Sequence, residues 1–228
     1  MKSTLLVFAL LAAGLAPAFA QPTTIAKWTF EASIPAAAGS FTPEVGLGSA
    51  KGYHASTSTY SSPAGNGSAH SFSSTAWSVG DYYQFNVSTS TLTGIAVSWD
   101  QVSSGTGPRD FKLSYSTNGT TFTDVKTYSV LLNGAPNTAW SSTGSPNPAF
   151  NYSYDFSSLT TALDNQASVY FRLIDTSTVS TNAGTVASGG TDRVDNFTVT
   201  AIPEPSTYAV IIGALALGLT IWQRRGQS

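Results

Sequence analysis

From Gly80 onward, apolar and polar residues alternate with a period of two: Tyr83, Phe85 and Val87, then Ile95, Val97 and Trp99, then Phe111, Leu113 and Tyr115. Alternation of this period puts one set of side chains on one face, and it predicts half-buried strands over 81–87, 94–102 and 111–115. Ser116 to Thr120 holds Asn118-Gly119 and separates the third run from Phe122 to Val130. Asn-Gly between two such runs predicts a hairpin with a type I′ turn, because both residues tolerate positive φ. Val169 to Ile174 is apolar on both faces and predicts a central strand. Ile25 to Glu31 predicts an opening strand with Trp28 and Phe30 on one face and Lys27, Thr29 and Glu31 on the other. Phe150 to Phe156 and Arg193 to Thr200 are further strands, with a helical turn at Ser157 to Leu163. Between Ser33 and Ser68 the chain is rich in Gly, Pro and Ser, and a loop so long predicts one or two short edge strands within it. The sum, roughly eight to ten short strands, is an all-β protein: a two-sheet antiparallel sandwich of jelly-roll type.

The two ends follow other patterns. Lys2, an apolar run from Leu5 to Leu15 and the small-x-small sequence Ala18-Phe19-Ala20 form a secretory signal peptide, cleaved after Ala20. At the other end, Pro203-Glu204-Pro205 leads into an uncharged stretch from Tyr208 to Trp222, closed by Arg224-Arg225. Fifteen helical residues reach about 22 Å, short of the ~30 Å hydrocarbon core, and Ser206 and Thr207 bring the segment near a minimal span. Arg224 and Arg225 act as a cytoplasmic stop by the positive-inside rule. The prolines around Glu204 hold the backbone extended and non-helical, which leaves its peptide bonds open to a protease. The chain divides into a signal peptide (1–20), a β-sandwich (21–201) and a tail (202–228) with its hydrophobic helix at about 207–222.

Composition narrows the partners. Only 10% of residues are charged, against roughly 25% in an ordinary soluble domain. Twelve carboxylates and seven Lys or Arg fall between Gln21 and Pro205, so the exported part is mildly acidic. It has no basic patch to follow a phosphate backbone, which excludes nucleic acid as a partner. No cysteine is present, so disulfides, thiolate metal sites and a cysteine nucleophile are all excluded.

The order Pro203-Glu204-Pro205, hydrophobic segment, Arg224-Arg225 resembles the PEP-CTERM sorting signal of exported bacterial proteins. That resemblance implies an exosortase-type membrane protease as partner, transient anchoring in the inner membrane of a Gram-negative-type bacterium, processing near Glu204 and Pro205, and release to the cell surface or an exopolysaccharide matrix. Within the exported part, Trp28-Thr29-Phe30-Glu31, the hairpin from Lys112 to Gly119 and Arg193 to Val199 resemble jelly-roll domains of the carbohydrate-binding-module type. Such domains often hold a structural Ca²⁺ between an acidic residue near the first strand and an aspartate on the last. The matching positions are Glu31 and Asp195. No other cofactor is expected.

Strand parity puts Asp195 with Phe197 and Val199, towards the core or its rim, where a carboxylate needs a partner: Ca²⁺, or an ion pair with Arg172 or Arg193. Glu31 has the parity of plain surface. His54 and His70 lie in Ser- and Gly-rich stretches and read as solvated; no nucleophile elbow or metal-binding histidine pair is present. Asp192 and Asp195, three apart on a strand, fall on opposite faces and make a poor acid/base pair. Trp77, Tyr82 and Trp140 are candidates for stacking on sugar rings, or else they cap the core. The expectation is a non-enzymatic, exported surface or matrix protein. A carbohydrate-binding module and a glycan hydrolase are the alternatives; the hydrolase needs two carboxylates about 5 to 10 Å apart in one cleft.

Overall fold

A computed structural model describes residues 21–204, together with Gly213 and Trp222. The signal peptide with Ala18 and Ala20, the stop residues Arg224 and Arg225, and the tail from Pro205 lie outside the described residues, those two positions excepted. Pro22 to Glu204 form one compact unit. Thirteen strands make it up: β1 (Thr23–Trp28), β2 (Val45–Gly46), β3 (Ser49–Tyr53), β4 (Tyr60–Ser61), β5 (Phe72–Ser74), β6 (Tyr82–Val87), β7 (Leu92–Ser103), β8 (Asp110–Ser116), β9 (Thr123–Ser129), β10 (Leu131–Leu132), β11 (Asn151–Asp155), β12 (Val169–Asp175) and β13 (Asp192–Pro203). The protein is the expected two-sheet sandwich. One sheet runs β10-β7-β13-β1-β2, with β11 also on β7 and β5 with β4 beyond β13; the other runs β3-β6-β12-β8-β9. All pairings between strands are antiparallel except β10 with β7.

The alternating residues form the core. Phe85 of one sheet and Phe197 of the other stack face to face, 3.6 Å between centroids, and Trp28 meets both edge-on. Trp28, Phe30, Phe72, Tyr83, Phe85, Trp99, Phe111, Phe171 and Phe197 are fully buried. Burying a large apolar side chain is worth roughly 1.5–3 kcal/mol, so this aromatic layer replaces the disulfides the chain lacks. Three short strands, β2, β3 and β4, occupy the long Gly/Pro/Ser stretch. The segment after Phe156 forms turns; Thr160 N donates to Phe156 O at 3.0 Å without continuing into a helix.

The backbone departs from regular strand geometry at two places on the first sheet. β1 stops at Trp28, and Phe30 takes φ 58°, a left-handed conformation uncommon for a bulky residue. On β13, Asp195 pairs with Asp100 and Thr198 with Ser98, so Asn196 and Phe197 together face the single residue Trp99. This is a β-bulge, with Asn196 at φ 51°.

Candidate functional site

Parity fails on both sides of the bulge. Val194 and Phe197 both reach the core although they are three apart. Asp195 therefore leaves the core face and stands beside Asp100 on the outer face of the first sheet, contrary to the simple alternation. It is nonetheless 0% exposed, because the segment 64–68 folds over it. Ser68 Oγ lies 2.6 Å and Asn66 N 2.9 Å from Asp195 Oδ2, and Asn196 N donates to Oδ1 at 2.7 Å. Neither arginine pairs with it. Arg193 Nη1 donates to Ala64 O at 3.1 Å, and the Arg172 guanidinium lies over the rings of Tyr82 and Phe122. Burial pushes the Asp195 carboxyl up to about 7, against the pull of its hydrogen bonds.

Glu31 is brought to the same place. The left-handed turn at Phe30 takes it off the strand, and Glu31 Oε1 accepts from His70 N at 2.8 Å. Ser68 Oγ lies 3.0 Å from His70 O and 2.6 Å from Asp195 Oδ2. A hydroxyl has one proton, so with Asp195 ionised one of these two oxygen pairs lacks a hydrogen between them. A β-carbon on Gly65 would collide with all three oxygens, so glycine leaves open the space on which they converge. Oxygens gathered with too few protons suit a hard cation, and Ca²⁺ draws on carboxylate, hydroxyl and carbonyl oxygens alike. Asp195, Glu31, Ser68 and the His70 carbonyl would hold it; its charge would neutralise Asp195 and tie strand β13 to the 63–71 segment. Among the described residues no cluster of three or more His, Cys, Asp or Glu side chains is present, so any further ligands would be neutral oxygens.

Next to this cluster the first sheet carries an open cleft of about 360 Å³, lined by Lys27, Ser98, Asp100, Asn147, Asn151, Asn196 and Thr198, with Pro146 and Pro148 on its wall. Lys27, Thr198, Ser98 and Ser153 stand in one register row across β1, β13, β7 and β11, which is why its floor is flat and polar. Asp100 is 3% exposed. Asn151 Nδ2 donates to Oδ1 at 2.8 Å, and Asn66 Nδ2 and Asn196 Nδ2 donate to Oδ2 at 3.0 and 2.9 Å. Those bonds fix the Asn151 and Asn196 amides with their carbonyl oxygens free: among the described residues, none donates to either Oδ1, whereas Asn66 Oδ1 accepts from Asn147 N at 2.8 Å. The cleft thus offers oriented acceptors, the Asn147 amide, hydroxyls and one amine, with Asp100 as their anchor.

The aromatic candidates separate. Trp77 is 5% exposed, donates Nε1 to Ser74 O at 3.0 Å and packs on Tyr83 and Phe111. Trp140 is 7% exposed and packs with Val102 and Phe150. Both are core, and neither presents a ring for stacking. Tyr82 stands on the second sheet, but Tyr53 of β3 covers one face (5.0 Å, 16°) and Arg172 of β12 the other, 3.9 Å from its centroid. Tyr53, half exposed, is the ring of this pile with an open face.

His54 corrects another expectation. Its side chain is 1% exposed, Nδ1 lies 2.9 Å from Asp81 Oδ2 and Nε2 3.0 Å from Ser74 Oγ. That is the arrangement of a nucleophile triad, yet Ser74 is wholly buried against Tyr83 Oη, where no acyl group reaches it. Burial holds His54 below the usual imidazole range despite Asp81. Nothing in the sequence signalled Asp100, Asn66, Asn147 or Asn151, which lie in three separate stretches joined only by the fold.

No family model matches this sequence. No curated protein matches it either. Solved structures share the chain path at low identity. The K2 cleaved adhesin domain of Lys-gingipain is 15% identical over 79% of this chain and 99% of its own, with a TM-score of 0.45. The CBM22-1–GH10 modules of Clostridium thermocellum xylanase 10B, complexed with xylohexaose, are 15% identical over 78% of this chain and 28% of theirs, TM-score 0.47. A family 35 carbohydrate-binding module from the same organism is 17% identical over 79% of this chain and 98% of its own, TM-score 0.37. At such identities and scores the ligand has to be argued from the side chains.

Proposed function

We propose that this protein is an exported, non-enzymatic β-sandwich of the cell surface or matrix, and that its cleft over the first sheet binds polysaccharide. The cleft's unspent amide oxygens, held rigid by Asp100, carry this reading. A sugar presents hydroxyls that donate and accept at once, and fixed amides with small hydroxyls match that pattern at little entropic cost. The absence of an aromatic platform in the cleft favours recognition by hydrogen bonds. A glycan array on the domain 21–204 tests it: Asn151→Ala is expected to weaken the best binder about tenfold, the order of one or two hydrogen bonds lost, while Tyr53→Ala leaves it unchanged. An array on which every sugar is silent sinks the reading. Loss through Tyr53 instead moves the site to the second sheet.

The sorting route belongs to the same proposal. Pro203-Glu204-Pro205, the apolar tail and Arg224-Arg225 support export, transient anchoring and removal by an exosortase-type protease. Structural Ca²⁺ at Asp195 and Glu31 is its third part, supported by the convergent oxygens at Ser68.

A further inference from the structure

The other acidic residue of the bulged strand lies on the core side and has a different role. Asp192 opens β13, is fully buried and, among the described residues, has no cation bonded to it. Gln101 Nε2 donates to its Oδ1 at 3.0 Å, and Ser103 Oγ lies 2.8 Å from its Oδ2. The orientation of Gln101 is not free: its Oε1 accepts from the indole Nε1 of Trp99 at 3.0 Å and from Tyr128 Oη at 2.7 Å, and an indole N–H can only donate. Asp192 Oδ1 is therefore an acceptor. Ser103 Oγ also lies 2.7 Å from the carbonyl of Pro108, and its one proton cannot serve two acceptors. Every bond in the chain is made at once only if Asp192 Oδ2 carries a proton and donates it to Ser103, which then donates to Pro108.

We infer that Asp192 is folded into the core as a neutral acid, whose proton locks the start of β13 and the end of β7 to the turn at 104–109. Ionising it leaves one bond of the relay unmade and places a charge in the sandwich. The surroundings do not compensate. Asp175 of β12 adds repulsion, Tyr83 of β6, Tyr128 of β9 and Tyr152 of β11 are neutral, and the attraction of Arg193, which donates Nη1 to Ala64 O rather than to Asp192, is smaller than the effect of burial. Burial raises the Asp192 carboxyl to about 8, in accord with the bond count.

The test compares the wild-type domain with Asp192→Asn, whose amide keeps an acceptor towards Gln101 and a donor towards Ser103. Between pH ~5 and ~8 the ratio of wild-type to variant folding constants is expected to fall about tenfold per pH unit, one proton's worth of linkage. The protection of amides 103–109 from hydrogen exchange, with the base-catalysed intrinsic rate divided out, is expected to fall with pH in the wild type alone. A ratio independent of pH overturns the inference. Should the variant fail to fold, the ¹³C carboxyl titration of Asp192 in the wild type decides: a protonated acid at neutral pH upholds the lock, and an ionised one overturns it.

Discussion

Three aromatic side chains that look alike in sequence play three parts. Trp77 fills the core, Tyr82 is enclosed in a pile of rings and a guanidinium, and Tyr53, which the sequence did not single out, keeps an open face. Trp77→Ala is expected to cost about 3–5 kcal/mol, the range for a large aromatic removed from a packed core, and to leave ligand binding unchanged once corrected for the folded fraction. Urea denaturation followed by titration separates the two effects; a stable variant that has lost binding would return Trp77 to the site. What distinguishes these residues is the neighbour across the sheet, which no spacing along the chain encodes. The carboxylates show the same limit. Asp195 was legible as a residue in need of a partner, and Glu31 as one of the positions that resemblance implies. Their link through Ser68 and His70 depends on the turn at Phe30 and the segment 64–70. Asp100, anchor of the cleft, sits in a run that reads only as strand.

Among the elements, strands with clean alternation were legible within a residue or two. The hairpin was legible in place but not in kind. β8 ends at Ser116 and β9 begins at Thr123, so the connection is longer than the two-residue turn that Asn118-Gly119 suggests. Gly119 alone takes positive φ, 74°, and Asn118 instead uses Oδ1 to accept from the backbone of Thr120 and Thr121, both at 2.9 Å. Gly119→Ala is expected to destabilise the domain by about 1–2 kcal/mol, the cost of a left-handed Cβ, with some crowding of the Tyr170 ring 3.1 Å away. Thermal denaturation checks it, and an unchanged midpoint would mean that the loop relaxes. The bulge in β13 leaves one mark in the apolar pattern, a step of three from Val194 to Phe197 before the step of two to Val199, which strict alternation passes over. The same bulge turns Asp195 to the outer face while Asp192 stays on the core side.

For the whole molecule, three raised carboxyls set the response to pH: Asp175 and Asp195 at about 7 and Asp192 at about 8. A folded-state value above the unfolded one gives stability that is complete below the unfolded value, near 4, and lost as pH rises to the folded value. The metal-free domain is therefore expected to be more stable at pH ~5 than at ~8. Ca²⁺ binds the ionised form of Asp195, so its stabilising effect is expected to grow over the same window, reaching about 2.7 kcal/mol at a hundredfold excess over its dissociation constant. Melting curves with CaCl₂ or EDTA at the two pH values check this, and a midpoint indifferent to calcium at both removes the ion. The sequence by itself determined the β-sandwich, its approximate strands and its aromatic core, because period-two alternation and hydrophobic burial act locally along each strand. It also supplied the motifs read as export and sorting signals. Only the tertiary structure decided which polar residues meet. A buried carboxylate takes its partners from whatever the fold sets within about 3 Å, and at Asp100, Asp192 and Asp195 those partners come from distant stretches of chain.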